Sequence, residues 1–331
     1  MSNPLLRVRH LSTDFVSSDG TIAHALEDVS FDVFAGQTIG LVGESGCGKT
    51  TTLLSIMRLL PSAGRIRHGQ VLLNDIDLLA LNERQMRAHL WKDMAIVFQG
   101  AMNALNPVHK IKDQIAEAIL QHKLMDRSQA ERRVGELLEL VGIAKQRGEQ
   151  YPHQFSGGMR QRVMIAMALA CSPSILFADE PTTALDVMIQ AQILELLKQI
   201  QKELKLAIVL VTHDLGVVAE TCDSVVVMYG GKVAEYGSSD QIYNRPQHPY
   251  TQRLLKAFPD LTNPATTLAS IPGVPPRLND LPRGCRFEPR CHARVDRCAI
   301  ASPQLIDVTE SGSDHRQVAS CHLLQGSETD A

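Results

Sequence analysis

The stretch Gly43-Glu44-Ser45-Gly46-Cys47-Gly48-Lys49-Thr50 fits the pattern G-x-x-x-x-G-K-[ST], and it constrains this chain more than any other stretch. Glycine lets such a loop turn tightly and approach an anion with no side chain in the way. Its successive N–H groups form a concave nest for the α- and β-phosphates of a nucleoside triphosphate. Lys49 supplies positive charge for the β- and γ-phosphates, and Thr50 offers a hydroxyl to the Mg²⁺ that bridges them. The flanks agree: residues 38–42 are an apolar strand, and residues 51–60 a helix whose N-terminus faces the loop. A glycine-rich turn before an ordinary helix is the plainer reading, disfavoured because strand, loop, Lys-Thr and helix stand in order. Ser45, Gly46, Cys47 and Thr51 are expected against the nucleotide as well.

At 331 residues the chain exceeds what one compact core ordinarily needs, so one large domain with appendages, or two domains, is expected. Its 33 Lys+Arg against 36 Asp+Glu give no overall basic character for nucleic acid. The N-terminus lacks the long apolar core of a signal peptide. The longest apolar run, nine residues at 163–171, is far short of the ~20 that span a bilayer. A cytosolic, soluble or peripheral chain is expected. Cys47, Cys171 and Cys222 are scattered and read as buried small hydrophobes. Cys285, Cys291, Cys298 and Cys321 crowd the last 50 residues, and in a reducing cytosol such a cluster points to metal before disulfide.

Residues 5–10 and 25–33 read as strands; Leu26, Val29, Phe31 and Val33 include an alternating run, which predicts a solvated face and antiparallel pairing. Phe15 stands between them as a loop aromatic, to stack on adenine or to anchor the loop. Strands are expected at 69–73 and 94–98, with Gln99 at the exit of the second, and helices at 111–122 and 128–141. Phe155-Ser156-Gly157-Gly158-Met159-Arg160-Gln161-Arg162 opens a further helix with Val163, Ala166, Met167 and Ala170 as its buried stripe. Ser156 and its glycines serve there as an ordinary N-cap or as an anion site. The apolar strand 174–180 ends in Asp179 and Glu180, and carboxylates at the C-terminal end of a parallel strand lie where ligands bind. After a P-loop, Asp179 is the expected Mg²⁺ partner and Glu180 the activator of water. An amphipathic helix at 188–204 carries Ile193, Leu197, Ile200 and Leu204 on one stripe. The strand 207–211 then runs into His213, either a surface histidine or a γ-phosphate contact. Residues 224–229 and 232–236 suggest a hairpin around Gly230-Gly231. Pro259, Pro264, Pro272, Pro275, Pro276 and Pro282 break any long element beyond a boundary near Gln247. A small irregular C-terminal module follows, with residues 327–331 frayed.

Taken in order, these stretches resemble the ATP-binding subunit of an ABC transporter over about residues 5–260. Residues 43–50 match the Walker A, Gln99 the Q-loop, 155–161 the signature and 175–180 the Walker B. Ala184-Leu185-Asp186 looks like the D-loop and His213 like the switch histidine, and Phe15 falls where the family places its adenine-stacking aromatic. The resemblance implies an α/β P-loop ABC-ATPase cassette: a RecA-like core, an antiparallel β subdomain and a helical subdomain at about 100–172, together spanning 1–247. His248-Pro249-Tyr250-Thr251, Leu254-Leu255 and Pro282-Arg283-Gly284-Cys285-Arg286-Phe287-Glu288-Pro289-Arg290-Cys291 look like the C-terminal extension of bacterial oligopeptide and dipeptide importers, placing a small irregular metal-binding module at 248–331. There are departures. Phe155 stands where Leu is commoner and Met159 where many cassettes have Gln. Gly100-Ala101 replace an acidic residue and Pro in the loop that faces the membrane subunits in the family.

The resemblance implies ATP sandwiched between the P-loop of one subunit and Ser156, Gly157, Gly158 and Gln161 of another. Asp179, Thr50 and Gln99 would lie at Mg²⁺, Glu180 and His213 at the reacting γ-phosphate, and Asp186 near the nucleotide. The implied partners are a second ATP-binding subunit, favoured as a paralogue, two membrane permeases and, through them, an external substrate-binding protein, all at the cytoplasmic side of a bacterial inner membrane. The cargo is peptide, or in relatives nickel, opine, glutathione or antimicrobial peptide. A soluble ABC-type ATPase acting in DNA repair or translation is the rival reading; a single cassette with no sustained heptads argues against it. The gaps between the four late cysteines are five, six and twenty-two residues, and none matches the two to four that separate the usual zinc pairs. Four unconnected thiols, zinc and an iron–sulfur cluster compete. Resemblance favours a [4Fe–4S] cluster on Cys285, Cys291, Cys298 and Cys321, with His292 and His322 beside them.

Overall fold

The computed structural model describes residues 3–100, 104–183, 185–257, 270–313 and 315–325. Ala101 of the loop after Gln99, Ala184 of the expected D-loop and the expected frayed segment 327–331 lie outside the described residues.

The chain opens with strands β1 (Leu6–Val16), β2 (Ile22–Val33) and the buried β3 (Thr38–Val42). Helix α1 (Lys49–Ile56), strands β4 (Gly64–Leu73) and β5 (Ile76–Asp77), helix α2 (Glu83–His89) and strand β6 (Met94–Val97) follow. Next come α3 (Ile111–Gln121), α4 (Arg127–Leu140), α5 (Gly157–Ala168), β7 (Ile175–Asp179), α6 (Val187–Leu204) and β8 (Ala207–Val211). The remainder comprises α7 (Leu215–Thr221), β9 (Ser224–Tyr229), β10 (Lys232–Ser238), α8 (Ser239–Asn244) and α9 (Pro249–Lys256), then α10 (Asp296–Ile300), β11 (Ile306–Asp307) and β12 (Val318–Ala319). Among the described residues no helix is long and apolar enough to cross a membrane.

Two compact units divide the chain. The first holds Val33–Thr38 and Ala80–Val211. In it β6, β7 and β8 pair in parallel with β7 between the others. Every residue of β7 and β8 is buried, the near-continuous apolar run that parallel strands show when covered on both faces. Helix α4 starts at a reciprocal cap: Gln129 N donates to Asp126 Oδ1 at 2.8 Å, and Asp126 N donates to Gln129 Oε1 at 3.0 Å.

The second unit holds Pro4–Asp32, Ile39–Leu79 and Thr212–Ala331. One sheet runs in the order β2-β1-β4-β5, and β1 and β4 are antiparallel from Leu6 opposite Leu73 to Phe15 opposite Gly64. Along β2 the buried Val29, Phe31 and Val33 alternate with less buried residues, as the sequence predicts. In the other sheet β3 pairs in parallel with β9, and β9, β10, β12 and β11 continue it antiparallel. The hairpin β9–β10 turns at Gly230-Gly231, with Lys232 opposite Tyr229.

Each unit mixes α and β as expected, with local differences. Phe15 lies in β1 and not in a loop, because β4 begins early enough to pair it with Gly64. A Cβ at Gly64 would stand 3.1 Å from the Phe15 ring, so glycine there leaves the ring its space. Helix α5 buries Met164, Ile165 and Ala168 as well as Val163 and Ala166, so it has no single stripe, and Met167 is only half-buried. Leu204 is 44% exposed, since α6 ends there and Lys205 turns into the left-handed region at φ 50°; Leu196 completes the buried face instead. The C-terminal region is held by more than a loose tail: β12 pairs with β10, and Phe287 is 2% exposed against Tyr229 and Tyr250.

Candidate functional site

The P-loop leaves the end of β3, and its shape depends on glycine. Gly43 has φ 149° and a Cβ there would lie 2.2 Å from Met228 O; Gly48 has φ 105° and a Cβ would lie 2.8 Å from Leu26 Cδ2. Both positions therefore exclude any side chain. Lys49 is 7% exposed, and its Nζ donates to Gly43 O at 2.7 Å and Glu44 O at 3.0 Å. The ammonium thus sits on two loop carbonyls. Thr52 Oγ1 donates to Gly48 O at 2.9 Å and holds the first turn of α1. Ser45, Gly46 and Thr50 are exposed on the loop, Thr51 is half-buried, and Cys47 is buried, its thiol pushed up by loss of water. Cys171 and Cys222 are also buried, their thiols raised to about 11 and about 12 by burial.

In the first unit β6 and β7 are adjacent and parallel, so residues leaving their C-terminal ends share one sheet edge. Asp179, the last residue of β7, is 2% exposed. Glu180 follows with φ 45°, a left-handed turn that takes its side chain off the strand path, and its N–H donates to Val211 O at 3.0 Å. Glu180 Oε2 accepts from Gln99 Nε2 at 2.7 Å and from Thr183 Oγ1 at 2.9 Å. Gln99, Asp179 and Glu180 are thereby gathered at one edge, and the carboxylate of Glu180 is oriented by two donors. Thr183 was absent from the expected set, although it lies in the run after Glu180.

Ser156 caps α5, accepting from Met159 N at 3.4 Å, with Phe155 buried beneath the Arg147 guanidinium at 4.7 Å. Met159, the departure from the usual signature, receives Arg147 on its sulfur at 3.3 Å. Gly157 and Gly158 open the helix; a Cβ on Gly158 would lie 2.6 Å from Ile189 Cγ2, so that glycine is demanded by packing against α6. Gln161 is 5% exposed, and its Nε2 finds no hydrogen-bond partner among the described residues. Asp186 caps α6 by accepting from Ile189 N at 3.0 Å. His213 is exposed in the turn between β8 and α7. Phe15 is half-buried in β1.

The expected metal-binding character of the C-terminal module is not supported: among the described residues no group of three or more His, Cys, Asp or Glu is arranged to hold a metal ion. The four cysteines are nonetheless neighbours. The Cys285 thiol is raised to about 11, chiefly by burial, with Cys298, Cys291 and Cys321 contributing in the same direction. Cys285 N donates to Cys298 O at 2.7 Å. His322 is engaged elsewhere, with Nε2 at 2.8 Å from Ala301 O, and His292 Nδ1 accepts from Arg253 Nε at 3.0 Å.

Sequence reasoning missed the contacts that this module makes with the P-loop. Tyr250 Oη accepts from Glu44 N at 3.0 Å, and Arg290 pairs with the Glu44 carboxylate at 2.6 Å. Tyr229, Tyr250 and Phe287 form one aromatic cluster with centroids 4.6–5.3 Å apart, each such pair contributing about 0.5–1.5 kcal/mol beyond simple burial. Arg290 lies in the stretch quoted for the importer extension, but nothing in the spacing of a sequence links it to residue 44.

Comparison with known proteins gives a consistent picture. The family model described as ABC transporter matches residues 26–183, and that described as oligopeptide/dipeptide transporter, C-terminal region, matches residues 234–298. The chain is 49% identical to the dipeptide transport ATP-binding protein DppD of Bacillus subtilis over 302 residues, 90% of either chain. It is 44% identical to the oligopeptide transport ATP-binding protein OppD of Escherichia coli over 304 residues, 91% of this chain and 90% of the relative. Among solved structures it is similar to a dimeric post-hydrolysis state of an ATP-binding cassette bound to ADP and Pi, with TM-score 0.63 and 27% identity, covering 71% of this chain and 98% of that one. The chain belongs to the ATP-binding subunits of ABC-type oligopeptide and dipeptide transporters.

Proposed function

We propose that this chain hydrolyses ATP as one of two cassettes and so drives uptake of dipeptides or oligopeptides through two membrane permeases, at the cytoplasmic side of a bacterial inner membrane. The observation that carries the reading is the presence, in one chain, of a cassette match over 26–183 and an oligopeptide/dipeptide C-terminal match over 234–298. The cassette comprises residues 1–247, with its helical subdomain at about 100–172, and the extension 248–331. The second cassette is a paralogue, and an external binding protein delivers cargo to the permeases.

Each residue has a role in this reading. Lys49 leaves the carbonyls of Gly43 and Glu44 to hold the β- and γ-phosphates, and the N–H groups of residues 45–51 cradle the α- and β-phosphates. Phe15 stacks on adenine. Thr50, Gln99 and Asp179 would hold Mg²⁺, which when bound would supply positive charge beside the phosphates; a hydroxyl and a carboxylate suit such a hard cation. Glu180, steadied by Gln99 and Thr183, takes the proton of the attacking water. His213 holds the γ-phosphate. Ser156, Gly157 and Gly158, at the N-terminus of α5, bring N–H donors and a positive dipole end to the γ-phosphate bound by the other cassette, with Gln161 behind them and Asp186 across the same junction. Loss of the γ-phosphate removes that attraction and lets the cassettes part.

For the tail, the finer proposal is a [4Fe–4S] cluster on Cys285, Cys291, Cys298 and Cys321. Its support is the resemblance to the importer extension together with four thiols that lie within electrostatic reach of one another, and a cluster takes Cys₄ ligation. When bound, the cluster would cross-link the module and carry no redox step of peptide uptake.

The test is co-expression with the two permeases and the second cassette. The chain should sediment with membranes, and its ATPase activity should rise when peptide-loaded binding protein is added to the reconstituted complex. Full, regulated activity from the isolated chain would count against the importer reading.

A further inference from the structure

We infer that Arg290 is a positioning residue for ATP binding: through Glu44, the cysteine-bearing tail fixes the backbone of the P-loop. The inference rests on the P-loop being the ATP site.

Glu44 is the second residue of the loop, and it is held at three points. Its carbonyl accepts from Lys49 Nζ at 3.0 Å, its N–H donates to Tyr250 Oη at 3.0 Å, and its carboxylate receives Arg290 in a two-pronged pair, at 2.6 Å on Oε2 and 2.9 Å on Oε1. Two of these three points come from beyond residue 247. The Arg290 side chain is only 4% exposed, and all five of its N–H donors have acceptors. Besides Glu44, Nε donates to Pro272 O at 2.9 Å, one terminal nitrogen to Tyr229 Oη at 3.2 Å, and the other to Ile271 O at 3.3 Å. A guanidinium so fully satisfied has one orientation. It transfers the position of the 271–272 backbone and of the aromatic cluster to residue 44.

The physical consequence follows from glycine. Gly43, Gly46 and Gly48 all have positive φ, so the loop carries the backbone freedom that glycine brings, and an unheld loop must lose that freedom when phosphate binds. Glu44 stands between two of these glycines, and gripping it by N–H and carboxylate, the two holds that remain once Lys49 turns to phosphate, orders the nest in advance. A buried ion pair is weak evidence of net stability, and at Arg290 its fully satisfied geometry assigns it to holding position. Arg290 therefore acts on nucleotide affinity without touching nucleotide. Lysine at 290 keeps the charge and loses the fork.

The test is equilibrium binding of a fluorescent ATP analogue with Mg²⁺ to the purified full chain, alongside thermal unfolding. Arg290→Gln and Glu44→Gln should each weaken binding about tenfold, the size of a coupled ion-pair effect. The double variant should be no weaker than the weaker single one, because both remove the same constraint, and Arg290→Lys should fall between Arg290→Gln and the parent. Should Arg290→Gln not fold, Glu44→Gln and Arg290→Lys decide alone. Affinity within twofold of the parent in folded variants, with only the unfolding midpoint lowered, overturns the inference and leaves Arg290 a structural residue. Losses that multiply in the double variant overturn it too. Lys49→Ala serves as the control: if it binds ATP like the parent, the P-loop reading itself has failed, whereas loss there with no effect at 44 or 290 sinks only the positioning role.

Discussion

Gln99 Nε2 donates a 2.7 Å hydrogen bond to Glu180 Oε2, tying the residue two beyond β6 to the residue just beyond β7. Glu180→Gln keeps the shape and removes the carboxylate charge. It should retain ATP while phosphate release falls about 10²- to 10⁴-fold, the usual reach of a general base. With hydrolysis stalled, the closed pair of cassettes should accumulate as a larger species on size exclusion. Gln99→Ala should be milder, since Thr183 still holds the same oxygen. Parent-like turnover in Glu180→Gln rules Glu180 out as the base.

Lys49→Ala removes the cation of the P-loop and its two hydrogen bonds to the carbonyls of Gly43 and Glu44. Turnover in the assembled complex should drop by about a hundredfold or more. Near-normal phosphate release would sink the assignment of Lys49 to the γ-phosphate.

Gly158→Ala tests packing at the signature. The new methyl would stand 2.6 Å from Ile189 Cγ2, so α5 or α6 must shift, at about 1–3 kcal/mol. Urea unfolding should show the loss. Ile189→Ala in the same chain should recover part of it by opening the space. An unchanged midpoint in the single variant would contradict the geometry.

His248 sets a pH dependence. It is 4% exposed, and burial holds its pKa at about 4, below the ordinary 6.5. The sign follows from the neutral form being favoured in the folded chain. That stability is present above pH 6.5 and is lost as pH falls toward 4, by at most about 3 kcal/mol. Glu235, whose carboxylate accepts from His248 N at 2.9 Å, is pushed up by burial and acts oppositely, favouring the folded state once protonated. Glu235 thus opposes His248 at pH values above 4.5, and the difference between the parent and His248→Asn, which share Glu235, isolates the histidine between pH 6.5 and about 4. The unfolding midpoint should drop there in the parent and much less in His248→Asn, whose side chain can still cap α9. A profile identical in the parent and His248→Asn would show that His248 is hydrated.

The tail makes its own prediction. Anaerobic preparation from iron-replete cells should give a brown protein with iron and acid-labile sulfide in equal amounts, and Cys298→Ser should bleach it while ATP still binds. Stoichiometric zinc without sulfide would replace the cluster with a zinc site.

Legibility differed by the range of the interaction. The P-loop, β7 with its two carboxylates and the β9–β10 hairpin were readable because each is written in contiguous residues with its own chemistry. Phe15 was misplaced in a loop because its strand continues only by pairing with Gly64, 49 residues away. Gly158 read as a cap or an anion site, while its contact with Ile189 belongs to helix packing that no local pattern encodes. The grip of Arg290 on Glu44 spans 246 residues of chain and was invisible for the same reason.

The pairing of β12 with β10 bears on how the protein can be handled in the laboratory. The oligopeptide/dipeptide C-terminal match ends at residue 298, a tempting place to cut, yet β11 and β12 lie beyond it. Shortened there, the chain would bare the outer rim of β10 and strand the buried Glu235 without Gln317, which donates to it at 2.9 Å. A bare strand rim recruits strands from other molecules. Expression trials on the shortened form should therefore yield aggregates, and design of soluble fragments should keep residues up to at least 325.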